Sequence, residues 1–262
     1  MIKRLIGGAI IAIVVVPCFI FGGIIFDLLA NLVGILALIE LIHVDKDLKR
    51  IPAAVKTLSL VLIPFIAYSN FKESLYMGIG YNLVAIAILS LLLLSLAYHK
   101  YGFGSKEAFK LGFLVIFIGL VTNFYVNIFH MNKWLFLWLV IIAIATDVFA
   151  YLGGMLIGKH KFTKISPNKT IEGCVVGTLF GTAIGCFYYM KLFVVNNVIL
   201  IIGVTLLLSI IGQLGDLFFS LIKRDNDIKD FSNTIPGHGG ICDRIDSLTF
   251  IIILFVVLFR YL

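Results

Sequence analysis

The stretch Ile201–Phe219 reads IIGVTLLLSIIGQLGDLFF, nineteen residues with a single charge, Asp216. A helix needs roughly 20 predominantly apolar residues to cross the hydrocarbon core of a bilayer, so this run is nearly a complete span. Asn82–Tyr98 (NLVAIAILSLLLLSLAY) repeats the pattern without any charge. Apolar residues make up 61% of the 262-residue chain and charged residues 13%, about half the charged share of an ordinary soluble domain. The mean hydropathy is +1.11. A soluble surface of this composition would aggregate, which leaves an all-α, polytopic integral membrane protein.

Cutting the sequence at polar and Gly/Pro-rich breaks leaves nine apolar segments: Leu5–Val16, Gly23–His43, Thr57–Tyr68, Tyr81–Tyr98, Lys110–Val126, Trp134–Ile157, Ile171–Met190, Asn197–Ile222 and Arg244–Tyr261. About nine transmembrane helices with short loops are expected. Residues 1–133 would form an N-terminal group of about five helices. Residues 134–262 would form a C-terminal catalytic group with loops 158–170 and 223–243. Of the 21 Lys and Arg residues, 17 fall in alternate connections and four (Lys72, Lys133, Lys191, Arg260) in the opposite set. Basic residues in short loops mark the cytoplasmic side. The N-terminus and both long loops are therefore predicted to be cytoplasmic, in a bacterial cytoplasmic membrane.

The net charge of +7 is spread over these loops rather than gathered into a patch. It fits topology signals and anionic headgroups, and no nucleic-acid partner is expected. The four cysteines (Cys18, Cys174, Cys186, Cys242) show neither CxxC nor Cys/His spacing, so no zinc site or disulfide framework is suggested. Lys3 and Arg4 before an apolar run look like a signal peptide, yet no A-x-A cleavage site follows, and Leu5–Val16 reads as a retained helix.

Ionisable residues inside spans are costly and point to function. At ~100° per residue, Gln213, Asp216, Ser220 and Lys223 share one face of the eighth segment. An Asp216–Lys223 pair that merely neutralises itself is the plainer alternative. The ninth segment opens Asp243-Arg244-Ile245-Asp246, and the i, i+3 spacing puts both carboxylates on one side of a helix start. Ordinary helix capping would also explain them. Between the two lies Pro236-Gly237-His238-Gly239-Gly240. Its glycines would let backbone N–H groups approach an anion, with a helix N-terminus following. Three carboxylates, the cations Lys223, Arg224, Lys229, His238 and Arg244, and a glycine loop suit magnesium-dependent phosphate chemistry. A third cluster holds Asp147 mid-helix, Tyr151 one turn on, and Gly154-x-x-x-Gly158. The loop after it contains Ser166-Pro167-Asn168-Lys169-Thr170-Ile171-Glu172-Gly173. Capping and topology could account for that loop. The intramembrane Asp147 favours a phosphate-facing role with Ser166 and Lys169.

Ser220-Leu-Ile-Lys223-Arg224, Lys229-Asp230 and Pro236-Gly-His238-Gly239-Gly240-Ile-Cys-Asp243-Arg244-Ile-Asp246 together resemble the signature of the CDP-diglyceride synthetases (phosphatidate cytidylyltransferases). Asp147-Val-Phe-Ala-Tyr151, Ser166-Pro-x-Lys169-Thr-x-x-Gly173 and Gly215-Asp216-Leu217 are similar to that family as well. Over the first 140 residues or so, the resemblance is one of hydropathy alone. The resemblance implies that CTP and phosphatidate give CDP-diacylglycerol and pyrophosphate, with Mg2+ as cofactor. Metal would be held by Asp216, Asp243 and Asp246; one ion or two is left open, as is a homodimer. Lys223, Arg224, Lys229 and His238 would orient the phosphates. A CTP-dependent lipid kinase and a membrane transporter are the alternatives.

Overall fold

The computed structural model describes residues 2–68, 81–235, 237 and 239–259. Among these, every regular element is helical: α1 (Ile2–Phe21), α2 (Gly23–Val44), α3 (Ala53–Ala67), α4 (Tyr81–Tyr98), α5 (Ser105–Met131), α6 (Lys133–Ile157), α7 (Ile171–Leu192), α8 (Val198–Asp225) and α9 (Cys242–Leu258). Short 3-10 turns at Leu48–Arg50 and His99–Tyr101 complete the set. Six of the described helical runs are long and apolar enough to cross a membrane: α2, Val84–Tyr101, α5, α6, α7 and α8. The expected all-α polytopic membrane architecture is therefore present. The nine apolar segments appear as nine helices among the described residues, but length and hydropathy support six spans among them, since the apolar run of α1 covers only Gly7–Phe21, α3 has 15 residues and α9 has 17.

Helix ends overrun the apolar windows where polar residues still continue the helix. α5 covers Ser105–Met131 instead of Lys110–Val126. Its extra C-terminal turn carries Asn127, whose amide donates to Asn123 Oδ1 at 2.8 Å. Hydropathy marks where a helix meets lipid, whereas i→i−4 hydrogen bonding decides where it stops.

The chain divides into two compact units, Met1–His130 with Ile228–Asp243 and Met131–Asp227 with Arg244–Leu262. The segment Ile228–Asp243 thus belongs with the helices of the first unit.

In the first unit, the phenyl rings of Phe26 and Phe129 stack with centroids 3.6 Å apart. Buried Asp27 meets His130 Nε2 at 2.7 Å. The Asn123 amide donates to the carbonyls of Ile66 and Ala67 at the end of α3 (3.2 and 2.9 Å), satisfying acceptors that a helix terminus leaves open. After α2, Asp45 accepts from the backbone N–H of Asp47 and Leu48, an Asx turn. Lys110 bridges Asp45 and Asp47 at 3.1 and 2.7 Å. The hydrogen bond from Lys110, backed by Lys106, holds Asp47 below the usual carboxylate range.

In the second unit, α7 packs on α6 through glycines spaced by four: Gly173, Gly177, Gly181 and Gly185. A Cβ at Gly177 would come 2.7 Å from Ala150 Cβ and from the Thr146 carbonyl. At Gly185 it would come 2.7 Å from Ile142. Small residues at this spacing let two backbones approach closely in a membrane. Two hydrogen bonds tie α6 to its neighbours: Trp138 Nε1 donates to the Gly185 carbonyl of α7 at 2.9 Å, and the Thr146 hydroxyl meets that of Ser209 on α8 at 2.7 Å. On α8, Gly215 gives the same close approach to α9, where a Cβ would lie 2.7 Å from the Asp246 carbonyl.

Candidate active site

The glycine-mediated packing of α6, α7 and α8 brings Asp147, Lys169 and Asp216 to one place in the second unit. Lys169 Nζ lies 2.6 Å from Asp216 Oδ2 and also donates to the Gln213 carbonyl at 3.4 Å. Both side chains of that pair are mostly shielded, with 20% and 27% exposed. Asp216 Oδ1 accepts from the Ser220 hydroxyl one turn on (3.4 Å). The self-neutralising partner that the sequence offered for Asp216 was Lys223. In the structure the salt-bridge partner is Lys169, which the sequence had assigned to the phosphate-facing loop.

Asp147 and Asp246 both lie within electrostatic reach of Asp216, and Asp246 within that of Asp147. Asp147 Oδ2 accepts from the Ser247 hydroxyl at 3.1 Å, and Asp246 Oδ1 accepts from the Ser247 backbone N–H at 2.8 Å. Lys169 and Arg244 lie near Asp147, and buried Lys223 lies near Asp246, so cations and carboxylates are interleaved here. The donor set is all oxygen, which fits a hard divalent cation such as Mg2+. Among the described residues, no three carboxylate, His or Cys side chains already converge on a single point.

The loop between α6 and α7 is folded onto the start of α7. Phe162 N–H donates to the Lys169 carbonyl and Ile171 N–H to that of His160, both at 2.9 Å. Thr170 caps α7 by accepting from Gly173 N–H at 3.1 Å. Glu172 binds the backbone N–H of Lys159 and His160, and His160 Nδ1 at 2.6 Å. A Cβ at Gly154 would lie 3.0 Å from Thr170 Oγ1, and one at Gly158 would collide first with the Gly154 carbonyl and then, at 2.7 Å, with Thr170 Oγ1. The carbonyl of Ser166 accepts from Lys169 N–H at 3.1 Å, closing the turn that delivers the lysine. Arg224 Nε donates to the Ile165 carbonyl at 3.3 Å, so it ties the loop to the end of α8. Tyr151 is 70% exposed on the turn after Asp147.

The remaining signature residues lie in the first unit. Lys229 is exposed, and His238 lies outside the described residues. Gly237 and Gly239 adopt φ of 75° and 82°, the left-handed region that favours glycine. Asp243 Oδ2 accepts from the N–H of Phe231 (3.0 Å) and of Gly240 (2.9 Å). The next two N–H groups, of Ile241 and Cys242, go to Glu40 Oε1 and Oε2, both at 2.8 Å. Of the loop and helix-start donors offered by the sequence to a phosphate, those of Gly240, Ile241 and Cys242 are held here by two of the chain's own carboxylates.

The sequence patterns assign no role to Ser247, Glu172 or Glu40. Ser247 and Glu172 directly adjoin residues that had been singled out. Glu40 is an acid inside an apolar segment, the same signal that flagged Asp147 and Asp216.

The cytidylyltransferase family model matches residues 2–262. A phosphatidate cytidylyltransferase of Bacillus subtilis (strain 168) is 32% identical over 256 residues, covering 95% of this chain and 94% of that protein. One of Staphylococcus aureus (strain COL) is 34% identical over 263 residues, covering 95% and 96%. One of Staphylococcus epidermidis (strain ATCC 12228) is 33% identical over 253 residues, with the same coverage.

Proposed function

The chain belongs to the cytidylyltransferase family, and on that premise we propose that it transfers the cytidylyl group of CTP to phosphatidate, giving CDP-diacylglycerol and pyrophosphate. The observation that carries the reading is the cluster of Asp147, Asp216 and Asp246 with Lys169 paired to Asp216. Carboxylates and cations stand together there on helices of a membrane protein, where a bilayer-confined lipid and a water-soluble nucleotide could meet.

A phosphate oxygen of phosphatidate attacks the α-phosphorus of CTP. The bond from that phosphorus to the β-phosphate bridging oxygen breaks, and pyrophosphate leaves in line. Phosphatidate is already anionic at neutral pH, so no general base and no covalent intermediate is needed. Asp216 and Asp246, with Asp147 beside them, would hold Mg2+, which when bound would neutralise charge on both phosphates. Lys169 would exchange its bond to Asp216 for one to a phosphate oxygen. Lys223, Arg224 and Arg244 would supply further positive charge for the triphosphate. Roles for Lys229, His238, Gly239, Gly240 and Asp243 rest on the signature alone. The charge distribution along the sequence would put the loops at Lys159–Lys169 and Lys223–Gly240 on the cytoplasmic side.

The test uses purified protein in detergent with phosphatidate, Mg2+ and each radiolabelled nucleoside triphosphate in turn. Label from α-labelled CTP should appear in a lipid that carries CMP, with stoichiometric pyrophosphate. Label entering the lipid only from the γ-position would make the protein a lipid kinase and overturn the proposal.

A further inference from the structure

Glu40 sits in α2, near the end of a helix otherwise composed almost wholly of apolar residues, and is 4% exposed. Burying a carboxylate costs several kcal/mol unless it is well satisfied, and this one is satisfied by a segment far along the chain. Oε1 accepts from the Ser232 hydroxyl at 2.6 Å and from Ile241 N–H at 2.8 Å. Oε2 accepts from Cys242 N–H at 2.8 Å. The Ser232 hydroxyl in turn meets that of Thr234 at 2.7 Å. Ile241 and Cys242 lead into α9, so a negative charge stands where the helix dipole favours one. One turn earlier on α2, the Ala37 carbonyl accepts from Cys242 Sγ at 3.5 Å. One face of α2 therefore grips Ser232 together with Ile241 and Cys242 at the start of α9.

Gly240 carries the point further. Its φ is not positive, so backbone conformation does not require glycine there. A Cβ, however, would lie 2.5 Å from Glu40 Oε2 and 2.7 Å from Oε1. The second glycine of the pair is small because the carboxylate occupies its flank. Local capping of α9 would need only a Ser, Thr or Asp beside the helix start. A buried charge on a distant helix is a costlier solution, and it fixes the loop against α2 as well as closing the helix.

We infer that Glu40 is a positioning residue for the proposed cytidylyl transfer. It clamps Ser232 and the Ile241–Cys242 start of α9, so that Asp243 and the residues that follow on α9 are presented in one geometry. This rests on the proposed function above, while the clamp itself can be read without any activity.

The experiment uses the full-length protein in detergent, as wild type, Glu40→Gln and Ser232→Ala. Amide hydrogen exchange is measured over the peptide spanning Gly239–Arg244, alongside turnover per folded molecule and the Mg2+ concentration giving half-maximal rate. Glu40→Gln should speed exchange at Ile241 and Cys242 at least tenfold. It should also lower kcat/KM for CTP roughly 10–100-fold, the usual effect of losing a residue that orients others in a site, and raise the half-activating Mg2+ several-fold. Ser232→Ala removes one donor and leaves the carboxylate, so it should shift each quantity in the same direction by less. It also keeps the test open if Glu40→Gln does not fold. Unchanged exchange in both variants would overturn the clamp. Faster exchange with unaltered turnover and Mg2+ dependence would make Glu40 a stability element only and overturn its positioning role. A wild-type protein that makes no CDP-lipid would defeat the functional reading instead, while the exchange arm would still report on the clamp.

Discussion

Replacing Gly177 with alanine tests whether close α6–α7 packing builds the site. The new Cβ would lie 2.7 Å from Ala150 Cβ and 2.7 Å from the Thr146 carbonyl, against the 3.4 Å at which ordinary contact begins. Neither neighbour can swing aside, because one is backbone and the other is a single bond from it. The helices must part locally by about 0.7 Å. Overpacking of this kind costs ~1–3 kcal/mol, and alanine recovers up to ~1 kcal/mol of helix propensity over glycine. The net loss should be roughly 1–2 kcal/mol, a melting temperature lower by about 2–8 °C for a chain of this size. Gly203 on α8 is the control, since a Cβ there meets nothing within 4 Å. Gly203→Ala should leave the melting temperature unchanged or raise it by a few degrees, roughly what a propensity gain of under 1 kcal/mol allows. Asp147 follows Thr146 directly, so Gly177→Ala should also lose more turnover than folded protein. The measurements are melting in detergent and CDP-lipid formation per folded molecule. If the two variants shift alike, or Gly177→Ala is the more stable, the packing account is wrong.

Asp216→Asn and Asp246→Asn should each cut turnover at least ~100-fold, with no rescue by excess Mg2+, because Asn loses the charge that holds a divalent cation. Near-normal rates at limiting Mg2+ would remove either residue from a metal role. Asp243→Asn keeps an oxygen for Phe231 and Gly240 N–H. A loss of activity at unchanged melting temperature would assign Asp243 a charge role, whereas a joint loss would leave it a loop tether. Gly240→Ala should cost ~1–3 kcal/mol by collision with Glu40, and shortening that residue with Glu40→Asp should recover part of the loss. Failure of the second change to help would separate the two residues. For sidedness, a cysteine introduced at Thr163 should react with an impermeant maleimide only after the cytoplasmic face is exposed. Labelling in intact cells would invert the proposed topology.

Much of this molecule is legible from its residues because bilayer physics is local. A run such as Ile201–Phe219 announces a helix whatever surrounds it, and each described helix begins and ends within five residues of the limits of its apolar segment. The motif residues Asp147, Lys169 and Asp216 could be nominated because acids are rare in such runs and lysine marks loops. Their pairing could not. Lys223 shares a helical face with Asp216, which made it the nearest candidate in sequence. The residue 2.6 Å from Asp216 is Lys169, delivered by the Ser166–Lys169 turn and the Thr170 cap on α7. A pairing so distant along the chain depends on how closely α6, α7 and α8 pack, and the glycines spaced by four along α7 were the available sign of that closeness.

Glycine marks the boundary between what local chemistry shows and what it leaves hidden. Gly239 needs φ of 82°, a requirement of its own backbone that a Gly-Gly pair, a turn signal, already suggests. Gly240 needs no special dihedral. It is small because Glu40, on a helix near the other end of the chain, fills the space beside it, and no pattern around Gly240 encodes that neighbour. The reasoning that flagged Asp147 as a costly acid within an apolar run applies equally to Asp27 and Glu40 in α2. Both acids prove to be engaged, one by His130 and the other by the loop before α9. Intramembrane acids therefore indicate which helix has a polar obligation, while the identity of the group that meets it emerges only when the fold supplies the distance.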